Sequence, residues 1–300
     1  MVEQLTRLTP FVGVYPTSLD GVSVMRVDRS TSRLPVLYEP AIVIVAQGRK
    51  HGYLGPQSFT YDASNYLVLT VPLPFECETV VAPDGPFLAF SVRVDLAILS
   101  ELVMKMETRG GPTLVVPAEQ TVSATPMDAL LSDAAVRLLE CLNTPTDTAV
   151  LGPQIIREIL YRALCGPQGP ALKSLLMMDS ARNQIHRILH RLHAEYARPV
   201  DVPALAGAVG MSVSALHHHF KAVTSTSPLR YLKTIRLHKA RLLMVQDAVG
   251  ASVAAQKVGY ESPSQFSREF KRLFGATPVD ETTRLRANLG GAPASLAQAG

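Results

Sequence analysis

Val258-Gly259-Tyr260-Glu261-Ser262, followed by Phe266, Phe270-Lys271 and Thr277-Pro278, decides how this chain is read, because it occurs twice. Upstream stand Val209-Gly210-Met211-Ser212, then Leu216, Phe220-Lys221 and Ser227-Pro228. The offset is 49 residues at the glycines and 50 from the phenylalanines onward, so the second turn carries one extra residue. Self-similarity at a fixed period marks a repeated supersecondary unit.

Each copy reads as helix, tight turn, helix. In the first, Asp201 is placed to cap a helix with Pro203 in its opening turn. Gly210 falls where a left-handed backbone ends that helix, and Ser212 caps the next. Val213, Leu216, Phe220 and Val223 follow helical spacing as a buried stripe, with Ser214, His217, His218 and Lys221 opposite. In the second copy Ser252, Gly259 and Ser262-Pro263 repeat the cap, stop and cap. Phe266, Phe270 and Leu273 form the expected stripe, and Ser264, Ser267, Arg268 and Lys271 lie opposite. A short polar face with a basic end is what a helix inserted into a DNA major groove presents.

Between the copies one helix is expected from Pro228 to about Val245, capped by Ser227. Leu229, Leu232, Ile235, Ala240, Leu242 and Leu243 share its apolar side, and Arg230, Thr234 and Arg241 face away. Such a helix spans ~27 Å. It can hold two recognition helices about one DNA turn, ~34 Å, apart.

Charge supports the same partner. Residues 1–180 carry 13 Lys and Arg against 18 Asp and Glu, a net −5. Residues 181–286 carry 16 against 7, a net +9, and seven of the eight His. A solvated basic surface is the bland alternative; coincidence with the repeat favours double-stranded DNA.

The 300 residues suffice for about two domains, and 47% hydrophobic residues exclude disorder. No apolar run approaches the ~18 residues that span a bilayer, and no signal peptide is evident. Cys77, Cys141 and Cys165 are scattered and odd in number, which fits reduced thiols in a cytoplasm.

The first ~95 residues read as short strands. Ala41–Ala46 and Tyr66–Val71 are apolar runs, and Phe75–Val81 and Leu88–Val94 alternate. Punctuation at Gly48, Gly55-Pro56 and Pro83–Pro86 suggests a sandwich or barrel. Helices follow at Asp95–Met106, Pro126–Leu142 and Pro153–Leu164. Their apolar stripes either pack within the chain or form a homodimer contact. Gly166-Pro167-Gln168-Gly169-Pro170 reads as a linker. The expected boundaries are therefore 1–165, a linker at 166–178, a DNA-binding domain at 179–287 and a disordered tail at 288–300.

The doubled motif over about Asn183 to Arg286 resembles the AraC family of bacterial transcription regulators. The second unit, Gly259-Tyr260-Glu261-Ser262…Phe266-Ser267-Arg268-Glu269-Phe270-Lys271…Gly275-Ala276-Thr277-Pro278, is particularly close to the family pattern. Glu39–Lys50, with Tyr61-Asp62 and Tyr66-Leu67, resembles the family's cupin-like partner domain. The resemblance implies an α+β multidomain chain: a cupin-like β-barrel with flanking helices, then an all-α domain with two helix-turn-helix units. It implies a regulator, with a small-molecule effector or a homodimer contact in the barrel and RNA polymerase as a further partner. His218 departs from the family, which often has Arg there; a neutral His is a weaker phosphate or guanine partner.

Other chemistries find little support. His217-His218-His219 point ~100° apart along a helix and do not converge on a metal. Metalloenzymes of the cupin type need several His, and residues 1–180 hold one, His51. Met177-Met178 reads as packing. The phosphate loop GxxxxGK[ST] and the Gly-x-Ser-x-Gly elbow are absent. No cofactor is implied. A cupin-type enzyme with an accessory basic domain and a non-specific architectural DNA binder stay as alternatives.

Overall fold

The computed structural model describes residues 1–108, 122–176 and 181–289. Met177-Met178 and the tail from residue 290 lie outside the described residues. Among the described residues ten strands form two antiparallel sheets. They are β1 (Gly13–Pro16), β2 (Val22–Val27), β3 (Thr31–Tyr38), β4 (Ala41–Gln47), β5 (Arg49–Leu54), β6 (Gln57–Asp62), β7 (Asn65–Leu69), β8 (Leu73–Val80), β9 (Phe87–Arg93) and β10 (Val122–Pro126). The larger sheet runs β1-β2-β9-β4-β7-β10 and the smaller β3-β8-β5-β6. In β8 the alternation is clean: Leu73, Phe75, Cys77 and Thr79 are buried.

The larger sheet is apolar on both faces, which is why β4 reads as a continuous run. Ile42 and Ile44 point outward with Phe90 and Val92, under the helices α1 (Val2–Leu8), α2 (Leu96–Glu107), α3 (Ala129–Cys141), α4 (Pro145–Val150), α5 (Gly152–Cys165) and α6 (Gly169–Lys173). Val43 and Val45 point inward, toward Tyr61, Phe75 and Phe87. The stripes of α3 and α5 are thus consumed within the chain: Leu131, Ala134, Leu138, Ile155, Ile156, Ile159 and Leu160 are buried, while Leu130 is exposed. Asp128 caps α3 and Pro126 belongs to β10, so the helix begins later than its apolar period suggests.

The expected linker at 166–178 contains helical segments among its described residues. Gly166 does end α5, but Pro170 sits in the first turn of α6, where its missing N–H is harmless. A short 3-10 turn, Ser174–Leu176, follows. Leu172 is fully buried, and Leu175 and Leu176 pack on the same core as α3 and α5.

The helical domain comprises α7 (Ala181–Ala194), α8 (Val202–Ala208), α9 (Val213–Thr224), α10 (Pro228–Gln246), α11 (Ala251–Lys257), α12 (Pro263–Phe274) and α13 (Pro278–Leu289). Several expected stripes shift by a residue. Val213 is exposed because it starts α9, beyond reach of the core, and Phe274, not Leu273, completes the buried row of α12. Gly250, not Ser252, occupies the N-cap of α11. On α10, Leu229 and Leu242 are exposed, and Tyr231, Leu237, His238 and Met244 are buried instead. Arg241 does not face solvent; it lies 4.4 Å from the Phe274 ring centre and 3.6 Å from the buried Glu281.

One side chain ties the two repeats together. Arg236 of α10 donates from Nε to the Tyr196 carbonyl at 2.7 Å and from Nη2 to the Arg198 carbonyl at 2.9 Å. Its Nη1 donates to the Gly259 carbonyl at 2.9 Å. The Gly259 turn is pressed against the connection between α7 and α8. A Cβ there would lie 2.9 Å from the Ala197 carbonyl carbon and closer still to its oxygen, and φ is +84°. Gly210 has φ +69° but open space around it.

The first repeat also shares its core with the interior between the sheets: Leu216, Phe220 and Ile235 are continuous with Leu67, Phe75 and Phe87. Tyr231 donates its single hydroxyl proton to the Pro72 carbonyl at 2.6 Å. Its oxygen is left to accept from His193 Nε2 at 2.8 Å. His193 Nδ1 stands 3.7 Å from Glu39, which also faces Lys239 at 4.0 Å. Burial, with the charges of Lys239 and His190, lowers the His193 pKa from 6.5 to about 4.

Two outcomes follow. The folded chain refuses a proton that the unfolded chain accepts, so the His193 contribution is intact above pH ~6.5 and is lost as pH falls toward 4. Denaturant titrations at pH 7 and pH 5 should differ by on the order of 1–2 kcal/mol from this group. In His193→Gln that part of the slope should vanish; an unchanged slope contradicts the assignment. Second, Gly210→Ala should cost about 1–2 kcal/mol, the price of a left-handed Ala. Gly259→Ala should cost clearly more, because it adds a backbone collision; equal losses would show that the two turns are not differently packed.

Candidate nucleic-acid interface

The two recognition helices, α9 and α12, are built alike. Ser212 accepts from the Ala215 N–H at 3.2 Å and Ser262 from the Gln265 N–H at 3.3 Å. Each cap satisfies one of the free donors at a helix start and fixes where the helix begins. Each helix stops at a left-handed residue, Ser225 (φ 58°) and Gly275 (φ 77°). Leu216, Phe220 and Val223 hold α9 to its core. In α12, Phe266, Phe270 and Phe274 form a row with ring centres 5.5 and 4.5 Å apart.

The opposite face is fixed by that packing. Ser214, His217, His218 and Lys221 are all exposed on α9, and Ser264, Ser267, Arg268 and Lys271 on α12. With an offset of 50, the two stripes occupy the same helical positions. Lys221, Arg268 and Lys271 take part in no ion pair or side-chain hydrogen bond among the described residues, so each is free to meet an anion. Arg272, one turn beyond Arg268, is a further exposed cation that the sequence reading passed over. The i,i+4 spacing from Arg268 was the available signal. Its counterpart on α9 is Ala222, and the counterpart of Arg268 is His218, so α12 carries the denser positive charge.

The flank of α12 is held by a polar network. Glu269 accepts from Tyr260 Oη at 2.8 Å, from Lys233 Nζ at 2.8 Å and from Gln265 Nε2 at 3.1 Å. Partial burial acts to raise the Glu269 pKa, and the bonds from Lys233, Gln265 and Tyr260 outweigh it, leaving the carboxyl below its usual value. The network locks the rotation of α12 about its axis, because Lys233 is on α10 and Tyr260 in the turn. That fixed rotation presents Ser264, Ser267 and Arg268 together.

The N-terminal domain contains a second polar cluster, between its sheets. Lys50 of β5 is 4% exposed. Its Nζ donates to Tyr38 Oη at 3.0 Å and to Met25 Sδ at 3.3 Å. Tyr38 Oη lies 3.3 Å from Tyr61 Oη, which lies 3.6 Å from Cys77 Sγ. Burial raises the Tyr61 and Cys77 pKa values, keeping both groups protonated. Among the described residues, no group of three or more His, Cys, Asp or Glu is arranged to hold a metal. No helix among them is long and apolar enough to cross a membrane.

Comparison with known proteins places both halves. Residues 18–171 match the family model described as the AraC-type transcriptional regulator N-terminus, and residues 205–284 match a helix-turn-helix domain. The chain is 30% identical over 154 residues to a probable thc operon regulatory protein of Rhodococcus erythropolis, covering 50% of this chain and 44% of that protein. It is 35% identical over 133 residues to the HTH-type transcriptional regulator GlxA of Rhizobium meliloti, covering 43% and 41%. The chain thus spans less than half the length of these curated relatives. In fold it is similar to ToxT of Vibrio cholerae solved with an unsaturated fatty acid bound, at a TM-score of 0.60 and 13% identity, covering 87% of this chain and 94% of that one. A ToxT structure bound to (E)-4-(8-methylnaphthalen-1-yl)but-3-enoic acid superposes at 0.62 with 10% identity, covering 88% and 98%. With an N-terminal model matched across half its length and a helix-turn-helix domain behind it, this chain belongs to the AraC family of transcriptional regulators.

Proposed function

We propose that the chain is a sequence-specific DNA-binding regulator in which α9 and α12 enter successive major grooves on one side of the duplex. The observation that carries this reading is the matched pair of exposed stripes, with Lys221, Arg268 and Lys271 unpaired beside small hydroxyl side chains. Phosphate contacts from the cations supply most of the affinity, and Ser214, His217, His218, Ser264, Ser267 and Arg268 meet base edges. Arg268 reads a guanine through two hydrogen bonds, and Lys221 and Lys271 hold phosphates. The DNA-binding unit is assigned to residues 179–287. The chain acts in the cytoplasm as a regulator, with no catalytic role for the N-terminal domain.

That domain receives a small-molecule effector in this reading. Support comes from the organic acids held by the structurally similar ToxT and from the continuity of the inter-sheet core with the first repeat. Homodimerisation through the N-terminal domain draws on the exposed apolar side chains Leu130, Val150 and Leu151. RNA polymerase is the expected partner at a promoter.

The DNA reading is tested on duplexes enriched from a randomised library by the purified chain. Arg268→Ala should weaken binding and relax preference at one or two adjacent base pairs, a loss of ~1–3 kcal/mol of discrimination. His218→Ala should do less. Uniform weakening across all site variants, with mainly a shallower salt dependence, would make Arg268 a phosphate clamp. A binding constant flat between low and physiological salt would overturn the electrostatic account of affinity.

A further inference from the structure

The polar network beside α12 is richer than holding a helix requires. Glu269 accepts from Lys233 Nζ and Tyr260 Oη, which already tie α12 to α10 and to the turn before it. A third donor, Gln265 Nε2, reaches the same oxygen as Lys233 at 3.1 Å. The first unit does without this arrangement. At the matching positions α9 carries Ala215 and His219, and its row of Leu216, Phe220 and Val223 is buried all the same.

Gln265 also declines the ordinary task of its position. It is the third residue of α12, three after the Ser262 cap, where a Gln side chain commonly reaches back to the N–H of the cap residue. Ser262 does accept from the Gln265 N–H, but the Gln265 side chain makes no return bond and turns to Glu269 instead. Burial acts to raise the Glu269 pKa, but its three hydrogen bonds hold it below the usual value, so the group is a carboxylate. A carboxylate only accepts hydrogen bonds, and the amide must therefore face it with its nitrogen. The Gln265 side-chain oxygen and its second N–H are left without a partner among the described residues.

The position suits a reader of bases. At ~100° per residue, Arg268 lies about 160° and Gln265 about 140° from the middle of the Phe266, Phe270 and Phe274 row, so the two are neighbours on the outer side of α12. The N-terminal residues of a recognition helix are the ones that meet base edges. An amide with one oxygen and one N–H to spare matches adenine, which offers an N6–H donor and the N7 acceptor in the major groove.

We propose that Gln265 reads an adenine beside the base pair met by Arg268, with Glu269 as the positioning residue that fixes its amide. Gln265 Oε1 accepts from adenine N6, and Nε2 donates its remaining hydrogen to N7. This rests on the reading of α12 as a major-groove helix and adds a specificity-determining residue to it. Ala215 and His219 give α9 no such pair, so the adenine belongs to the half-site of α12.

The test uses the full chain and duplexes that it selects from a randomised library. The α12 half-site should hold an adenine next to the guanine whose preference is lost in Arg268→Ala. Replacing that adenine by another base should weaken binding on the order of tenfold. Replacing it by 7-deazaadenine, which lacks the N7 acceptor, should also weaken binding, though less. Gln265→Ala, a mild change at a half-buried helical site, should bind the adenine and 7-deazaadenine duplexes alike and keep the guanine preference. Glu269→Gln should blunt the adenine preference and keep that for guanine, because its side chain donates as well as accepts and no longer dictates how Gln265 turns. Loss of both preferences in Glu269→Gln would reduce Glu269 to a tie that holds the helix and overturn its positioning role. An adenine preference that survives Gln265→Ala, or a half-site without adenine, would overturn the proposal and leave the DNA reading intact. No sequence preference at any position in the unaltered chain would overturn both.

Discussion

A single guanidinium sets the geometry on which the DNA-reading surface depends. Arg236 fixes three backbone carbonyls, two in the connection between α7 and α8 and one in the turn between α11 and α12. Its planar fork holds them in a defined arrangement that a flexible ammonium would not reproduce. The close seat of Gly259 on Ala197 leaves room for no side chain between them. Without this clamp the repeats would be joined chiefly through α10, and small rotations at its ends would alter the register between α9 and α12. With it, the turn of the second helix-turn-helix unit is held to the connection that leads into the first.

The same economy of joints links the two domains. The inter-sheet core runs without interruption into the first repeat, and Tyr231 on α10 donates to a loop carbonyl of the N-terminal domain. The second repeat has its own core, around Phe266, Phe270 and Phe274. The first recognition unit thus shares its core with the β-sheets, and α12 of the second lies against β3. The first is also the one with fewer cations on its exposed stripe, His218 and Ala222 standing where α12 has Arg268 and Arg272. In the proposed reading the exposed stripe of α12, with more cations, supplies the larger share of the electrostatic grip.

Much of this was legible in the sequence, and the remainder was not for identifiable reasons. The repeat, the caps Asp201, Ser212 and Ser262, and the left-handed glycines follow from local backbone chemistry, which sequence records directly. Strands β4, β7, β8 and β9 announce themselves by apolar runs or alternation. By contrast, β5 reads Arg-Lys-His-Gly-Tyr-Leu and carries no such signal, because a lysine is one of its buried residues. At 166–178 the sequence signal is ambiguous, because Pro170 opens a helix as readily as it ends one. The sequence around Arg241 carries no sign of its burial, because its partners, Phe274 and Glu281, are more than thirty residues away. Arg236 is silent in sequence for a different reason: its acceptors are backbone carbonyls, and carbonyls have no sequence signature.

The central claim is that one chain reads two grooves through helices of fixed separation. Hydroxyl-radical footprinting of a library-selected duplex, at protein concentrations where one chain is bound, addresses it directly. Two protected patches on one face of the duplex, about 10 base pairs apart, are the predicted result. Insertion of five base pairs between them should abolish joint protection, because it turns the second site to the far side. A single protected patch, or two patches that survive the insertion, would contradict a rigid double reader.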